Sequence, residues 1–349
     1  MTPQPSPFLA ACRGSRPERT PVWFMRQAGR SLPEYRRARE GISMLESCRR
    51  PELVTQITLQ PVHRYGVDAA ILYSDIVLPL QAVGIDLDIV PGVGPVIAEP
   101  FRTRGDLDRL PELDAAHVPF ITQAVTDLVA LLGDVPLIGF AGAPFTLASY
   151  LVEGGPSRDL TRTKALLHGD PGLWKSLLDR LSQISGEYLR VQLAAGASAV
   201  QLFDSWAGTL EPVDYRDRVL PASAAVLARA AAERPDAPRI HFGVGTGELL
   251  GSMGRPAGAS VVGVDFRVPL DEAVRRIGPD TAVQGNLDPA VLLAPWPVVR
   301  ERVLRILRQG AGAHGHVFNL GHGVPPGADP QVLKKIVDLV HDTVPDARE

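Results

Sequence analysis

Short β-branched or apolar runs, each ending in Gly, Asp, Asn or Ser, alternate along this chain with stretches carrying Ala, Leu, Arg and Glu at 3.6-residue spacing. The pattern predicts strands at Val22–Arg26, Val67–Asp75, Pro136–Ala141, Ala199–Asp204, Arg239–Gly243, Val261–Phe266, Ala282–Asn286 and His316–Leu320. Among the helices predicted between them are Ala115–Leu132, Leu173–Ala195, Pro212–Glu233, Trp296–Gln309 and Pro330–Val344. Eight strands, each followed by a covering helix, read as an α/β protein of one closed (β/α)8 barrel of the TIM type. Only VGIDLDIVPGVGPVIAEP, residues 83–100, breaks the rhythm: two alternating runs around a Pro-Gly turn predict a β-hairpin insertion.

Length and composition are consistent with that picture. The 349 residues, 45% hydrophobic, are enough for one large core. No linker or repeat divides them, so residues 21–349 are expected to form one catalytic domain behind a disordered tail at residues 1–20. A net charge of -3 gives no global positive field of the kind that marks nucleic-acid or membrane-surface binding. No apolar run reaches the roughly 18 residues a membrane span requires. Cys12 and Cys48 are too few for a disulfide framework and read as unpaired thiols of a cytoplasmic protein.

In a barrel of this kind reactive groups collect where the strands end, because the following loops converge on one mouth. After the first predicted strand, FMRQAGRSLPEYRRAR places Arg26, Arg30, Arg36, Arg37 and Arg39 in one stretch. Guanidiniums bind carboxylates by paired, charge-assisted hydrogen bonds, so this loop is a candidate polycarboxylate receptor. Arg26 and Arg30 flank Gly29 directly after the strand and carry that reading, whereas Arg36 and Arg37 are expected to pair with Glu34, Glu40 or Glu46. Asp75 ends an apolar strand and is either a helix N-cap or a carboxylate facing the mouth that needs a cation or an N–H-bearing ligand.

The runs PVWFMRQAGR, LPEYR, LYSDI, GFAGAPFTLASYLVEGG, QLFDSWAG, FGVGTGELL, GVDFR, QGNLDP and FNLGHGVPP resemble the uroporphyrinogen decarboxylase family, from about Pro21 to His341. That resemblance implies a homodimeric (β/α)8 barrel in haem and related tetrapyrrole synthesis, which removes the acetate carboxyl groups of uroporphyrinogen III without a cofactor. Position by position it implies that Arg26, Gln27, Ala28, Gly29 and Arg30 line the substrate site and that Asp75 meets the pyrrole N–H groups. It assigns Tyr150, Ser205 and His322 to substrate carboxylates or the ring edge, Met25, Phe140 and Phe203 to apolar walls, and Arg39 to a further family arginine. Ser31, Gln56 and Phe266 depart from residues common in the family, none at these positions.

Loss of CO2 leaves an electron pair that needs a sink. Lys164, Lys175, Lys334 and Lys335, the only lysines, lie in helical stretches, and no P-loop, strand-following GxGxxG or HExxH occurs, so the substrate's own protonated pyrrole is the expected sink. Arg26, His322 and Tyr150 are the candidate proton donors, the last two being the chemically easier. Two other readings stand beside this one. His314 and His316, two apart on a strand, are a weak sign of a zinc-dependent methyltransferase of the same superfamily, although neither cysteine is near them in sequence. A tetrapyrrole carrier would use the same mouth but would not need Asp75.

Overall fold

A computed structural model describes residues 6–343. Seven parallel strands form one sheet: β1 (Ala70–Ile71), β4 (Leu137–Gly142), β5 (Ala199–Asp204), β6 (Arg239–Gly243), β7 (Val261–Gly263), β8 (Ala282–Leu287) and β9 (His316–Leu320), hydrogen-bonded in that order. The antiparallel pair β2 (Leu87–Val90) and β3 (Gly94–Ile97) is the predicted hairpin insertion. Helices wrap the sheet, the longest being Pro171–Ala194, which fills the predicted Leu173–Ala195 almost residue for residue.

The predicted first strand, Val22–Arg26, exists only as a bridge between Val22 and Phe318, yet it closes the barrel. Phe318 N–H donates to Pro21 O at 2.8 Å and Trp23 N–H to Phe318 O at 3.3 Å. On the other side Asp68 N–H donates to Val22 O at 2.8 Å. The buried Asp68 carboxylate accepts from Val22 N–H at 2.8 Å and meets Arg19 and His341, each at 2.7 Å. One side chain therefore ties the closing segment to residues near both ends of the described chain. His341 and Arg19, with the Val22 N–H, outweigh burial and hold the Asp68 carboxyl below its ordinary value.

Other predicted strands end early for local reasons. Val67–Asp75 shrinks to β1 because, two residues beyond it, the Tyr73 N–H is taken by Thr58 Oγ1 at 3.0 Å instead of a strand partner. Val261–Phe266 ends at Gly263, and the Asp265 carboxylate turns the chain by accepting from the backbone N–H groups of Gly245 and Arg267. The predicted helix Pro212–Glu233 is two helices, Pro212–Arg218 and Leu220–Glu233, broken at Val219, two residues before Pro221.

The tail expected to be disordered is a correction from residue 7 onward. Pro7–Cys12 is a helix whose Phe8, Ala11 and Cys12 are fully buried, and it packs on β8 and β9 at the end where Gly315 meets Ala11. Its apolar face is only three residues wide, too short to show as periodicity among Pro and Arg. Residues 1–5 of that tail lie outside the described residues. Phe8→Ala is expected to lower unfolding free energy by about 3 kcal/mol. Urea titration measures it, and no change would mean that the helix does not close the barrel's floor.

Candidate active site

The loop after Val22–Phe24 is held in an unusual conformation. Arg26 has φ 58°, a left-handed backbone that costs a non-glycine residue roughly 1–2 kcal/mol. Buried side chains from beneath offset that cost. Gln27, fully buried, accepts from Phe24 N–H at 3.0 Å and donates to Ala69 O at 3.2 Å. Asn319 Oδ1 accepts from Met25 N–H at 3.0 Å, and Val324 N–H donates to Met25 O at 2.9 Å. Net contributions of about 1 kcal/mol from each such bond are enough to fix the turn. Gln27, expected to line the substrate site, is thus buried beneath the loop and shapes it through the backbone.

Met25 is likewise turned inward, 2% exposed, with its sulfur 3.7 Å from Gln201 Nε2. Gln201 Oε1 accepts from Gln284 Nε2, and Gln284 Oε1 from the Trp23 indole, both at 3.0 Å. This polar chain inside the barrel was missed in the sequence. Its signal was a glutamine at the centre of each of two apolar strands, AVQLFD and AVQGNL, where a buried amide requires partners.

Above this floor Arg26 and Arg30 are exposed, and neither forms an ion pair with an acid of the described residues. Ala28 and Gly29 between them are half-buried. Two of the expected partners of Arg36 and Arg37 are engaged elsewhere, Glu34 with Arg64 at 2.8 Å and Glu46 with Arg50, and Glu40 forms no ion pair among the described residues. Arg39 is half-buried, donating to Tyr35 Oη at 3.0 Å, Met44 Sδ at 3.1 Å and Ile42 O at 2.9 Å. Burial works against its charge, but Tyr73 and Tyr35 hold it above its ordinary value. Cys48 is close enough to feel both Asp75 and Arg39.

Asp75 follows β1 at the end facing the mouth. Its Oδ1 accepts from Val77 N–H at 3.0 Å, an Asx turn just ahead of the helix Leu78–Ala82, whose N-cap is Val77 and carries no side-chain capping bond, so Asp75 is not the N-cap. No side chain of the described residues donates to it. Burial raises its carboxyl above the ordinary range, while Arg26 pulls the other way. Of the arginines in the loop, Arg26 alone bears on it.

Arg26 also acts on Tyr150 and His322, which makes it the electrostatic hub of the mouth. Burial pushes the Tyr150 phenol above its ordinary value, against the influence of Trp206. The His322 pKa is lowered by burial, Arg26 and Arg267, against Asp265. Gly323 N–H donates to His322 Nδ1 at 2.8 Å, so the ring's proton is on Nε2 and the imidazole is neutral at neutral pH. Both residues expected as proton donors are therefore set as neutral hydrogen-bond donors.

Phe140 stacks edge-on with Phe203 at 5.3 Å, and Phe203 with Phe242 at 5.9 Å, which extends the expected apolar wall by one ring. The hydroxyl of half-buried Ser205 has no hydrogen-bond partner among the described residues. Its turn is braced by Thr146 Oγ1, which donates to buried Asp204 at 2.9 Å and accepts from Trp206 N–H at 3.3 Å. Trp206 in turn packs edge-on with Tyr150 at 6.0 Å.

The histidines of the zinc reading are elsewhere. His316 is the first residue of β9, at the opposite end from the mouth, with Nε2 3.2 Å from Gly285 O and a pKa that burial lowers to about 4. The nearby Cys12 thiol is pushed well up by burial. Among the described residues no group of three or more His, Cys, Asp and Glu side chains could hold a metal ion. A groove of about 860 Å³ between helices 171–194 and 212–233 touches none of the mouth residues.

Fold and site together define a barrel enzyme whose mouth opposes free guanidiniums to a carboxylate that has no side-chain partner. The family model described as Uroporphyrinogen decarboxylase (URO-D) matches residues 3–343. Curated relatives carry the name uroporphyrinogen decarboxylase. The Streptomyces griseus protein is 65% identical, over 97% of this chain and 92% of its own. That of Salinispora tropica is 61% identical over 99% and 93%, and that of a Nocardioides species 62% over 97% and 99%. The chain belongs to the uroporphyrinogen decarboxylase family. A solved methyltransferase from Methanosarcina mazei superposes with TM-score 0.79 over 95% of this chain and 96% of its own, at 19% identity, a likeness of fold.

The raised Asp75 carboxyl has a consequence for stability. A carboxyl whose folded value lies above its unfolded one penalises folding once it is ionised in both states, and the penalty fades as pH falls towards the ordinary carboxylate range. Asp75→Asn is therefore expected to raise Tm at pH 7, with the gain shrinking in acid. Equal melting curves at pH 7 would show that the carboxylate is compensated within the protein.

Proposed function

We propose that this protein decarboxylates the four acetate side chains of uroporphyrinogen III to give coproporphyrinogen III, in tetrapyrrole synthesis. One observation carries the reading: the half-buried Asp75 carboxylate stands within the field of Arg26 without a side-chain donor, in a chain of this family. A carboxylate so placed lacks partners that a porphyrinogen, with its pyrrole N–H groups, supplies.

The chemistry follows from that arrangement. A proton added to an electron-rich pyrrole carbon makes a ring cation conjugated with the acetate, the bond to the carboxylate carbon breaks, and its electron pair moves into the ring as CO2 leaves. Protonation of the exocyclic carbon and loss of the ring proton then leave a methyl group. The substrate is its own electron sink, and the step calls on no cofactor. Asp75 stabilises the transient cation, since preorganised charge aimed at developing charge is commonly the largest catalytic contribution. Arg26 and Arg30 bind carboxylates in this scheme. Ser205, Tyr150 and the Nε2–H of His322 donate to carboxylates or the ring edge, and Phe140 and Phe203 give the macrocycle an apolar face. Gln27, Asn319 and the backbone of Ala28 and Gly29 hold Arg26 in place.

The protein works as a homodimer in the cytoplasm under this proposal. The family supports the first expectation, and the two buried, unpaired thiols the second. No helix of the described residues is long and apolar enough to cross a membrane.

Anaerobic incubation with uroporphyrinogen, followed by chromatography of the oxidised products, is expected to show stepwise loss of carboxyl groups down to the tetracarboxylate. Asp75→Asn should abolish turnover while porphyrin binding stays within about tenfold, a change of roughly 1.4 kcal/mol. Undiminished turnover in that variant would favour a carrier and remove Asp75 from the chemistry. Arg30→Lys should raise KM, because an ammonium cannot reproduce the planar fork. Kinetics identical to the unaltered protein would mean that Arg30 only faces solvent.

A further inference from the structure

Beyond the arginines of the first loop, the rim carries another one. Arg267 stands in the loop after β7, its side chain 52% exposed, and its position is set by an unusually well braced turn. Asp265, buried, accepts from Gly245 N–H at 2.5 Å and from Arg267's own N–H at 3.0 Å. Asn286 Nδ2 donates to Asp265 O at 2.8 Å and to Val268 O at 2.7 Å, closing the loop from below. Arg267 Nη1 donates to Asp265 Oδ2 at 2.6 Å, and the guanidinium carbon sits 4.5 Å from the centre of the Phe266 ring. Its Nε and Nη2 donate to no group of the described residues, so one edge of the fork is free.

Two close approaches place the loop that carries Arg267 against the one that carries His322. A side chain on Gly321 would come 2.3 Å from Phe266 N, and one on Gly323 would come 2.5 Å from Arg26 Cδ. The loop after β9 is therefore pressed against the Phe266 backbone on one side of His322 and against the Arg26 side chain on the other. His322 stands in the loop between those two contacts, and the charges of both arginines bear on it. Its neutral ring offers an Nε2–H.

We propose that Arg267 is a further substrate-binding residue, a guanidinium that takes a carboxylate of the substrate across His322 from Arg26. Three donors then face one stretch of the rim: two permanent cations with a neutral N–H between them. That set suits a ligand carrying several carboxylates around its edge. The Asp265 pair does not cancel the function. It uses one nitrogen and orients the rest, which lowers the side-chain entropy lost when a carboxylate binds. The inference rests on the reading of the mouth as a polycarboxylate site.

The test compares Arg267→Gln, which keeps a donor towards Asp265 but loses the charge, with Arg267→Ala and the unaltered protein, using uroporphyrinogen as substrate. The glutamine variant is expected to show KM raised about tenfold, with kcat within about twofold and Tm unchanged, and the gap should narrow as salt screens the lost charge. Unchanged KM in the glutamine variant overturns the proposal. So does a fall in kcat or Tm in the alanine variant that glutamine restores, which would assign Arg267 to holding the turn. If the unaltered protein does not decarboxylate uroporphyrinogen, the function itself fails. Uroporphyrin binding to the same variants, followed by fluorescence, then decides the carboxylate site separately: equal affinity in all three overturns it.

Discussion

The site depends on a carboxylate that the fold draws partly out of water and gives no side-chain partner. An ionised group in that position costs free energy unless something is arranged around it. Here the protein supplies little: the backbone N–H groups of Val77, 3.0 Å from Oδ1, and Ile76, and the positive field of Arg26. Arg26 is itself exposed and unpaired with any acid of the described residues, so cation and anion face each other without collapsing into an ion pair. Much of the surrounding architecture serves to keep them apart.

What prevents that collapse is the loop geometry. Arg26 leaves the barrel wall in a left-handed conformation set by Gln27 and Asn319, both buried and both bonded to backbone. These two residues touch no solvent, yet they aim the guanidinium. They depend in turn on the closing segment, which has a single bridge to β9 and is secured by Asp68 between Arg19 and His341. The weakest strand of the barrel is thus the one that carries the most important loop, and a polar clasp does the work of a ladder.

The fold was legible in the sequence because strand and helix periods differ and alternate. β5, β6 and β9 coincide with their predicted bounds, and the hairpin falls within residues 83–100. Strand ends such as Ile71 and Gly263 were not legible, because side chains distant in sequence, Thr58 in one case, compete for the backbone N–H groups that would continue the strand. The charges of the site were visible as a dense arginine loop and an acid after an apolar run. Their relation was not: nothing in RQAGR says that Gln27 is buried, that Arg36 and Arg37 lack the acids proposed for them, or that Arg267, far along the chain, comes up beside His322. The folded N-terminal helix was hidden for a related reason, since its stability comes from the pocket it enters and not from its own six residues.

A polyanionic macrocycle resolves both of the unfavourable features of this mouth at once. Its carboxylates meet unpaired guanidiniums at the rim, and its central N–H groups meet an acid that lacks side-chain donors. The same binding excludes water, which strengthens the field of Asp75 at the ring where positive charge develops. His322 and Tyr150 fit that logic by staying neutral. A cationic imidazole would compete with the ring for Asp75, whereas a neutral N–H can hold a carboxylate without opposing the protonation on which decarboxylation depends. The raised carboxyl, the lowered histidine and the strained arginine are three expressions of one requirement, that positive charge be scarce at the centre of the mouth and plentiful at its edge.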